Sequence, residues 1–228
     1  MTTTAREEAA SIATWIASHG VALPDGFSDR IERFRELVLE ANERVNLTRI
    51  TAPGDFFRKH VADSLLLALA LPAIQTSTLE LLDVGCGAGI PGIPLALAFP
   101  SLSITEVDSM AKKVQEVEWI IRSLGLERAR ALHARARELA HRKEHQERYD
   151  LVVARAVTDT AILIRECRRL LRPGGALVTY KTPAQAAQEI PLVTREAEKF
   201  HLDAAISASW HLPENAGERV FWLIARPA

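Results

Sequence analysis

Apolar positions in the first third of the chain recur every three or four residues. Ala9, Ile12, Ala13, Ile16 and Ala17 share one face of a first helix that Gly20 ends, and Ile31, Phe34, Leu37, Val38 and Ala41 mark a second, opened by Ser28 as cap with Glu32 just behind it. A third helix, predicted from Asp55, carries Phe56, Phe57, Val61, Leu65, Leu66 and Leu69. No strand period occurs before about residue 75. From Leu79 the pattern changes to short apolar runs at 79–84, 102–107, 129–133, 151–155 and 176–181, separated by helical stretches. That alternation predicts an α/β, doubly wound parallel sheet. After Ile190 a helix runs through Phe200, and two extended stretches, 204–210 and 219–225, predict a closing antiparallel hairpin. The expected organisation is an N-terminal helical extension, residues 1–75, packed on a core domain of residues 76–228.

The stretch LELLDVGCGAGIPGIP, beginning at Leu79, is where the strand period gives way to a turn. Leu79, Leu81, Leu82 and Val84 form a buried strand, Asp83 stands near its end, and Gly85, Gly87 and Gly89 free the backbone to approach a ligand. Pro91, Gly92 and Pro94 open a helix. A strand, glycine loop and helix at the carboxyl edge of a parallel sheet bind a nucleotide-like ligand. Gly87, Gly89 and Gly92 also satisfy G-x-G-x-x-G, the dinucleotide fingerprint, with an acid about twenty residues on. Asp83, two residues before the first glycine, instead suits a ligand bearing a charged amino group, with the loop N–H groups aimed at its polar edge. S-adenosylmethionine has that amino group and no phosphate.

Charge and composition narrow the partners. The 228 residues carry a formal net charge of −1, so any nucleic-acid contact must be local rather than spread over the surface. Arg128, Arg130, Arg135, Arg137, Arg142, Lys143 and Arg148 crowd one stretch and predict an RNA-facing patch. Cys86 and Cys167 stand apart in apolar or turn settings, which predicts neither a disulfide framework nor a zinc site. No run approaches the roughly twenty apolar residues of a membrane span, and MTTTAREEAA lacks the basic-then-apolar leader pattern. The expectation is a cytoplasmic protein, without metal, acting as a monomer.

Further polar residues fall at strand ends. Asp108 closes the second strand, where a carboxylate accepts from both hydroxyls of a ribose; Glu106 lies on the same side one pleat earlier. The turn at Ala136 and Arg137 follows the third strand, where an adenine edge would lie. Arg155 closes a strand otherwise apolar, so it either pairs with a carboxylate or faces a ligand or substrate. Lys181 joins the same rim, which suits a phosphate-bearing substrate. Asn46 lies in a polar loop after the second helix. His60 and Asp63, a turn apart on the third, either orient a substrate or bond each other and nearby backbone.

Asn42-Glu43-Arg44-Val45-Asn46-Leu47-Thr48, Lys59-His60-Val61-Ala62-Asp63-Ser64-Leu65 and Asp83-Val84-Gly85-Cys86-Gly87-Ala88-Gly89-Ile90-Pro91-Gly92 together resemble the bacterial small-subunit ribosomal RNA guanine-N7 methyltransferases, the RsmG or GidB family. The resemblance continues through Val107-Asp108, Lys112-Lys113, Arg155-Ala156 and Tyr180-Lys181. It implies a Rossmann-like class I methyltransferase that uses S-adenosylmethionine, with Gly85, Ile90, the Ala136-Arg137 turn and Arg155 at the cofactor. It also implies small-subunit (16S) ribosomal RNA or the ribosomal particle as partner. The family usually has Glu where this chain has Arg137, so either Glu138 or the backbone alone meets adenine. Guanine N7 carries an available lone pair, so no general base is required and positioning supplies the rate. Two other readings stand beside this one: an NAD-dependent oxidoreductase, from the Gly87 to Gly92 match, and a non-catalytic RNA-binding or ribosome-assembly module.

Overall fold

The computed structural model describes residues 4–228. The parts of the leader and helical-extension readings that fall on residues 1–3 lie outside the described residues. Helix α1 (Ala5–Ser18) starts where Thr4 and Glu7 cap one another, Glu7 N–H donating to Thr4 Oγ1 at 3.3 Å and Thr4 N–H to Glu7 Oε2 at 2.7 Å. It buries Ala9, Ile12 and Ile16. Helix α2 (Phe27–Asn42) buries the stripe the spacing predicts, but Ser28 is not its cap. Gly26 is, at φ 73°, because Phe27 enters the core as the first helical residue and draws Ser28 inside the first turn. The third helical run, α3 (residues 53–70), begins at Pro53 rather than Asp55. Its middle, Phe57–Ala62, widens into a π turn, a local distortion that recurs at functional sites.

The sheet strands are β1 (Glu80–Val84), β2 (Ser103–Asp108), β3 (Ala129–His133), β4 (Tyr149–Arg155), β5 (Leu171–Lys181), β6 (Asp203–Ile206), β7 (Trp210–His211) and β8 (Glu218–Ala225). Their order is β3-β2-β1-β4-β5-β8-β6, with β7 paired to β8. The first five are parallel, and β8 runs antiparallel between β5 and β6. Strand order reverses between β1 and β4, so a cleft opens beyond their carboxyl ends. Helices α4 (Gly92–Ala98), α5 (Ala111–Ser123), α6 (Ala136–Leu139), α7 (Thr160–Cys167) and α8 (Pro183–Lys199) follow in order. The last starts seven residues before the periodic stretch predicts it. Thr182 and Gln185 cap it reciprocally and Pro183 fits the first turn, where no N–H is needed, while Pro191 is carried inside.

Side-chain alternation along the strands feeds two cores. Leu81, Ile104, Leu151 and Val153 face the layer of α1 to α5 with Phe34, Phe56 and Leu65. Leu82, Val84, Val152 and Leu177 face the other layer, with Leu163, Ile164 and Val193. One continuous apolar cluster therefore joins the N-terminal helices to the sheet. Both cysteines are buried and free. Among the described residues no helix is long and apolar enough to cross a membrane, and no cluster of acids, histidines and cysteines is placed to hold a metal ion.

Candidate active site

The loop leaving β1 is held from behind. Asp83 is fully buried and lines neither of the cavities described below; its Oδ2 accepts from Gly92 N–H at 2.9 Å. Here the carboxylate braces the loop from behind, at the residue the sequence predicted to attract a ligand's amino group. Its register partner on β2 is Glu106, also fully buried, and a Cβ on Gly92 would lie 2.0 Å from Glu106 Oε1. Glycine at that position is what lets the helix start against the acid. Burial pushes the Asp83 carboxyl up to about 6. Burial, with the Asp83 charge beside it, holds Glu106 well above the usual carboxylate range.

In front of the loop lies a cavity of about 380 Å³ lined by Gly85, Asp108, Met110, Ala136, Arg137 and Val157 among others. Asp108 Oδ2 accepts from Gly87 N–H at 3.1 Å and Oδ1 from Met110 N–H at 2.9 Å. Each oxygen keeps a second lone pair. Gly85, at φ 72°, lies so close to Val157 that an added Cβ would stand 2.6 Å from Cγ2. Gly87, Gly89 and Ile90 do not line the cavity. The loop N–H groups are largely satisfied within the protein: Gly85 and Cys86 donate to Val107 O, and Gly89 and Ile90 to Cys86 O. The loop thus offers bare backbone surface where the sequence predicted N–H groups aimed at a ligand. Arg137 lines the cavity, whereas Glu138 turns back to accept from Arg135 N–H at 3.3 Å. The half-exposed Met110 and Val157 at its mouth carry no sequence motif and were legible only as apolar residues in polar surroundings.

A larger cavity of about 930 Å³ adjoins this one and shares Ala156 and Val157 with it. Ala156 sits at φ 55°, a left-handed conformation unusual for a residue with a side chain and the kind of backbone strain that gathers at working sites. Arg155 is held on three sides. Its Nη1 donates to Lys59 O at 2.8 Å and to Asp63 Oδ2 at 3.0 Å, and its Nη2 contacts His60 Nδ1 at 3.1 Å. Both sequence alternatives for Arg155 are realised, since it pairs with a carboxylate and also lines the cavity. His60 and Asp63 do not bond each other; each grips the same guanidinium. Asp63 is fully buried and takes a second arginine, Arg219 Nε, at 2.5 Å.

His60 Nε2 contacts Thr48 Oγ1 at 2.9 Å. Burial and then the Arg155 charge lower its pKa to about 4, so the ring is neutral at pH 7. Lys181 donates to Glu189 Oε1 at 2.7 Å and to Thr158 O at 3.1 Å on the same wall. Asn46 is exposed and lines neither cavity; it is Asn42 that organises its loop, accepting from Leu47 and Thr48 N–H through Oδ1. The crowded basic residues divide. Arg135 and Arg137 border the smaller cavity, while Arg128, Arg130 and Arg148 surround a third, of about 230 Å³, at the opposite ends of the strands.

A parallel sheet with this strand order, a glycine loop at its switch point and a carboxylate closing β2 is the fold of a class I methyltransferase. The chain superposes on an O-methyltransferase assignment from Agrobacterium tumefaciens at a TM-score of 0.55, with 18% identity over 73% of this chain and 84% of that one. It superposes on Aeropyrum pernix fibrillarin, solved with S-adenosylmethionine bound, at 0.54, with 16% identity over 72% and 73%. Residues 28–210 match the family described as rRNA small subunit methyltransferase G. Proteins of that name are 39% identical in Lacticaseibacillus paracasei, over 90% of this chain and 84% of that protein, and 43% identical in Gloeobacter violaceus, over 74% and 67%. The chain belongs to the rRNA small subunit methyltransferase G (GidB) family. The nicotinamide reading is not favoured, its glycine pattern being part of this family's loop.

Three outcomes follow from the geometry. Asp63→Ala leaves two arginines facing a buried gap and should cost about 3–5 kcal/mol of unfolding free energy, read from a urea midpoint; a loss under about 1 kcal/mol would show that the arginines do not depend on it. Glu106 has a folded pKa above its unfolded one, so its contribution is lost as pH rises. Glu106→Gln, which keeps the neutral form at every pH, should therefore gain stability relative to wild type as pH rises above about 4.5, read from melting temperatures of the two proteins between about pH 4 and pH 7. The folded pKa of His60 lies below its unfolded value, so stability falls as pH drops from about 6.5 to about 4; His60→Gln should flatten that limb of the melting curve relative to wild type.

Proposed function

We propose that this chain transfers a methyl group from S-adenosylmethionine to N7 of a guanine in small-subunit ribosomal RNA. The observation that carries the reading is that a nucleoside-sized cavity and a larger, cation-walled one meet at Ala156 and Val157. The smaller cavity fits the cofactor: Asp108 has lone pairs free for two ribose hydroxyls, and the close approach of Gly85 to Val157 leaves space that any side chain would fill. Ala136 and Arg137 border the adenine end, and Gly87, Gly89, Ile90 and Asp83 shape and brace the loop from behind. When bound, S-adenosylmethionine supplies an electrophilic methyl on a positively charged sulfur.

The residues of the larger cavity hold and orient. Guanine N7 presents its lone pair in the ring plane without losing a proton, so a base is not needed. The side chains agree with that requirement: His60 is neutral but both ring nitrogens are engaged, and Asp63 is spent on two arginines. Arg155 and Lys181 line the wall and suit the phosphates flanking a target nucleotide. In-line placement of N7 and exclusion of water then carry the rate. A role for Asn46 would require RNA to reach beyond the cavity.

The test is transfer of a labelled methyl to small ribosomal subunits or their RNA, with the modified base located by strand cleavage at N7-methylguanine. Labelling at an exocyclic amine or a pyrimidine would overturn the assignment, and cofactor binding without any transfer would favour a non-catalytic RNA-binding module. Asp108→Ala should raise the Kd for S-adenosylmethionine about 10- to 100-fold, two charge-assisted hydrogen bonds being lost, measured by titration calorimetry; an unchanged Kd would move the ribose elsewhere.

A further inference from the structure

At the opposite end of the sheet from both cavities, where β4 and β5 begin, lies a groove of about 620 Å³ lined by Arg168, Arg169, Arg226, Phe200 and His201, with Glu147 as its one acidic residue. Glu147 is spent on Arg226, whose Nη2 donates to it at 2.7 Å while Nη1 donates to Leu171 O at 2.6 Å. Arg168 has no carboxylate within 4.0 Å among the described residues, and its Nε is buried without a hydrogen-bond partner. Its guanidinium lies 4.1 Å from the centre of the Phe200 ring, and Lys199 Nζ lies 5.1 Å from the same ring. Among the described residues the only side-chain hydrogen bond of Arg169 is a 3.5 Å contact to His141 Nδ1.

A cation at the end of α7 would be accounted for by the helix dipole. That account covers Arg168 and, at the end of α8, Lys199. Arg169, beyond the helix, and Arg226, after β8, come to the same groove without such an account, and with Glu147 as the acid on its wall the groove keeps an excess of positive charge in a chain whose net charge is −1. Cations gathered around an aromatic ring in an open groove match the chemistry of a nucleic-acid strand, whose phosphates need neutralising and whose bases stack.

We infer that this groove binds the phosphate backbone of the RNA substrate at a segment remote from the methylated nucleotide. The inference rests on small-subunit RNA being the substrate. Glu147 lies in the groove and Arg155, at the other end of β4, lines the larger cavity, so the two sites are on the order of 20 Å apart. One nucleotide cannot reach both, whereas a folded RNA can.

The test compares Arg168→Gln/Arg169→Gln, the exposed single change Arg169→Glu, and Arg6→Glu on α1 as a charge control. Binding to small-subunit RNA is followed by filter retention across a salt series. Both groove variants should bind about tenfold more weakly near 0.15 M salt, with the slope of log Kd against log salt smaller by about one per cation removed. The Kd for S-adenosylmethionine, and methylation of a short RNA carrying the target guanine, should not change, and Arg6→Glu should bind as wild type. Unchanged affinity and slope in Arg169→Glu and the double variant would overturn the inference. So would tight binding of inorganic phosphate or pyrophosphate that these changes abolish while RNA affinity stays intact, which would give the groove to a small anion. A wild-type chain that binds the RNA but transfers no methyl removes the proposed function, while selective loss of affinity in the groove variants still supports the groove.

Discussion

Asp63 ties the molecule together. It is a fully buried carboxylate between two arginines, Arg155 at the end of β4 and Arg219 near the start of β8, and it comes from the helical run before the sheet. Three distant segments are thereby fixed around one negative charge. Such a cluster costs desolvation that its internal attraction offsets only when every group is satisfied. Here Arg155 is further held by Lys59 O and His60, and Tyr180 donates to Ser64 O beside the cluster. The π turn over Phe57–Ala62 is the local backbone adjustment that coincides with this gathering.

A second buried acidic arrangement supports the first strand. Asp83 and Glu106 occupy adjacent register positions on β1 and β2, with Gly92 packed against them. One carboxyl retains a proton because two charges cannot be kept in that enclosed space. The loop above is then fixed from below by Gly92 N–H and from the front by Asp108, leaving its outer surface bare. A rigid, side-chain-free surface beside a carboxylate with spare lone pairs is preorganised, and its rigidity reduces what must be ordered when a ligand arrives.

The two cavities meet on a short loop in which Ala156 is left-handed and Val157 is half exposed. Strain at Ala156 is maintained by its neighbours, Arg155 locked into the Asp63 cluster and Val157 packed on Gly85. The place where the two cavities meet is therefore coupled mechanically to the buried ion cluster.

Local chemistry determined much from the sequence alone. The apolar periods placed the helices and strands, the strand-glycine-helix stretch placed the switch point, and the position of Asp108 at the end of β2, on a cavity wall, was legible too, because each depends on residues near one another in the chain. The misplaced helix starts, at Ser28 and after Ile190, arose where a buried Phe27 and a reciprocal Thr182–Gln185 cap outweighed simpler signals. What tertiary structure decided were the partners: that Asp83 lies buried against Glu106 behind the loop, that Asp63 takes Arg219 from the far end of the chain, that Glu189 holds Lys181, and that Asn46 lies outside both cavities. Those outcomes depend on burial and on contacts between segments up to 156 residues apart, and no local pattern encodes which side of a carboxylate will be enclosed.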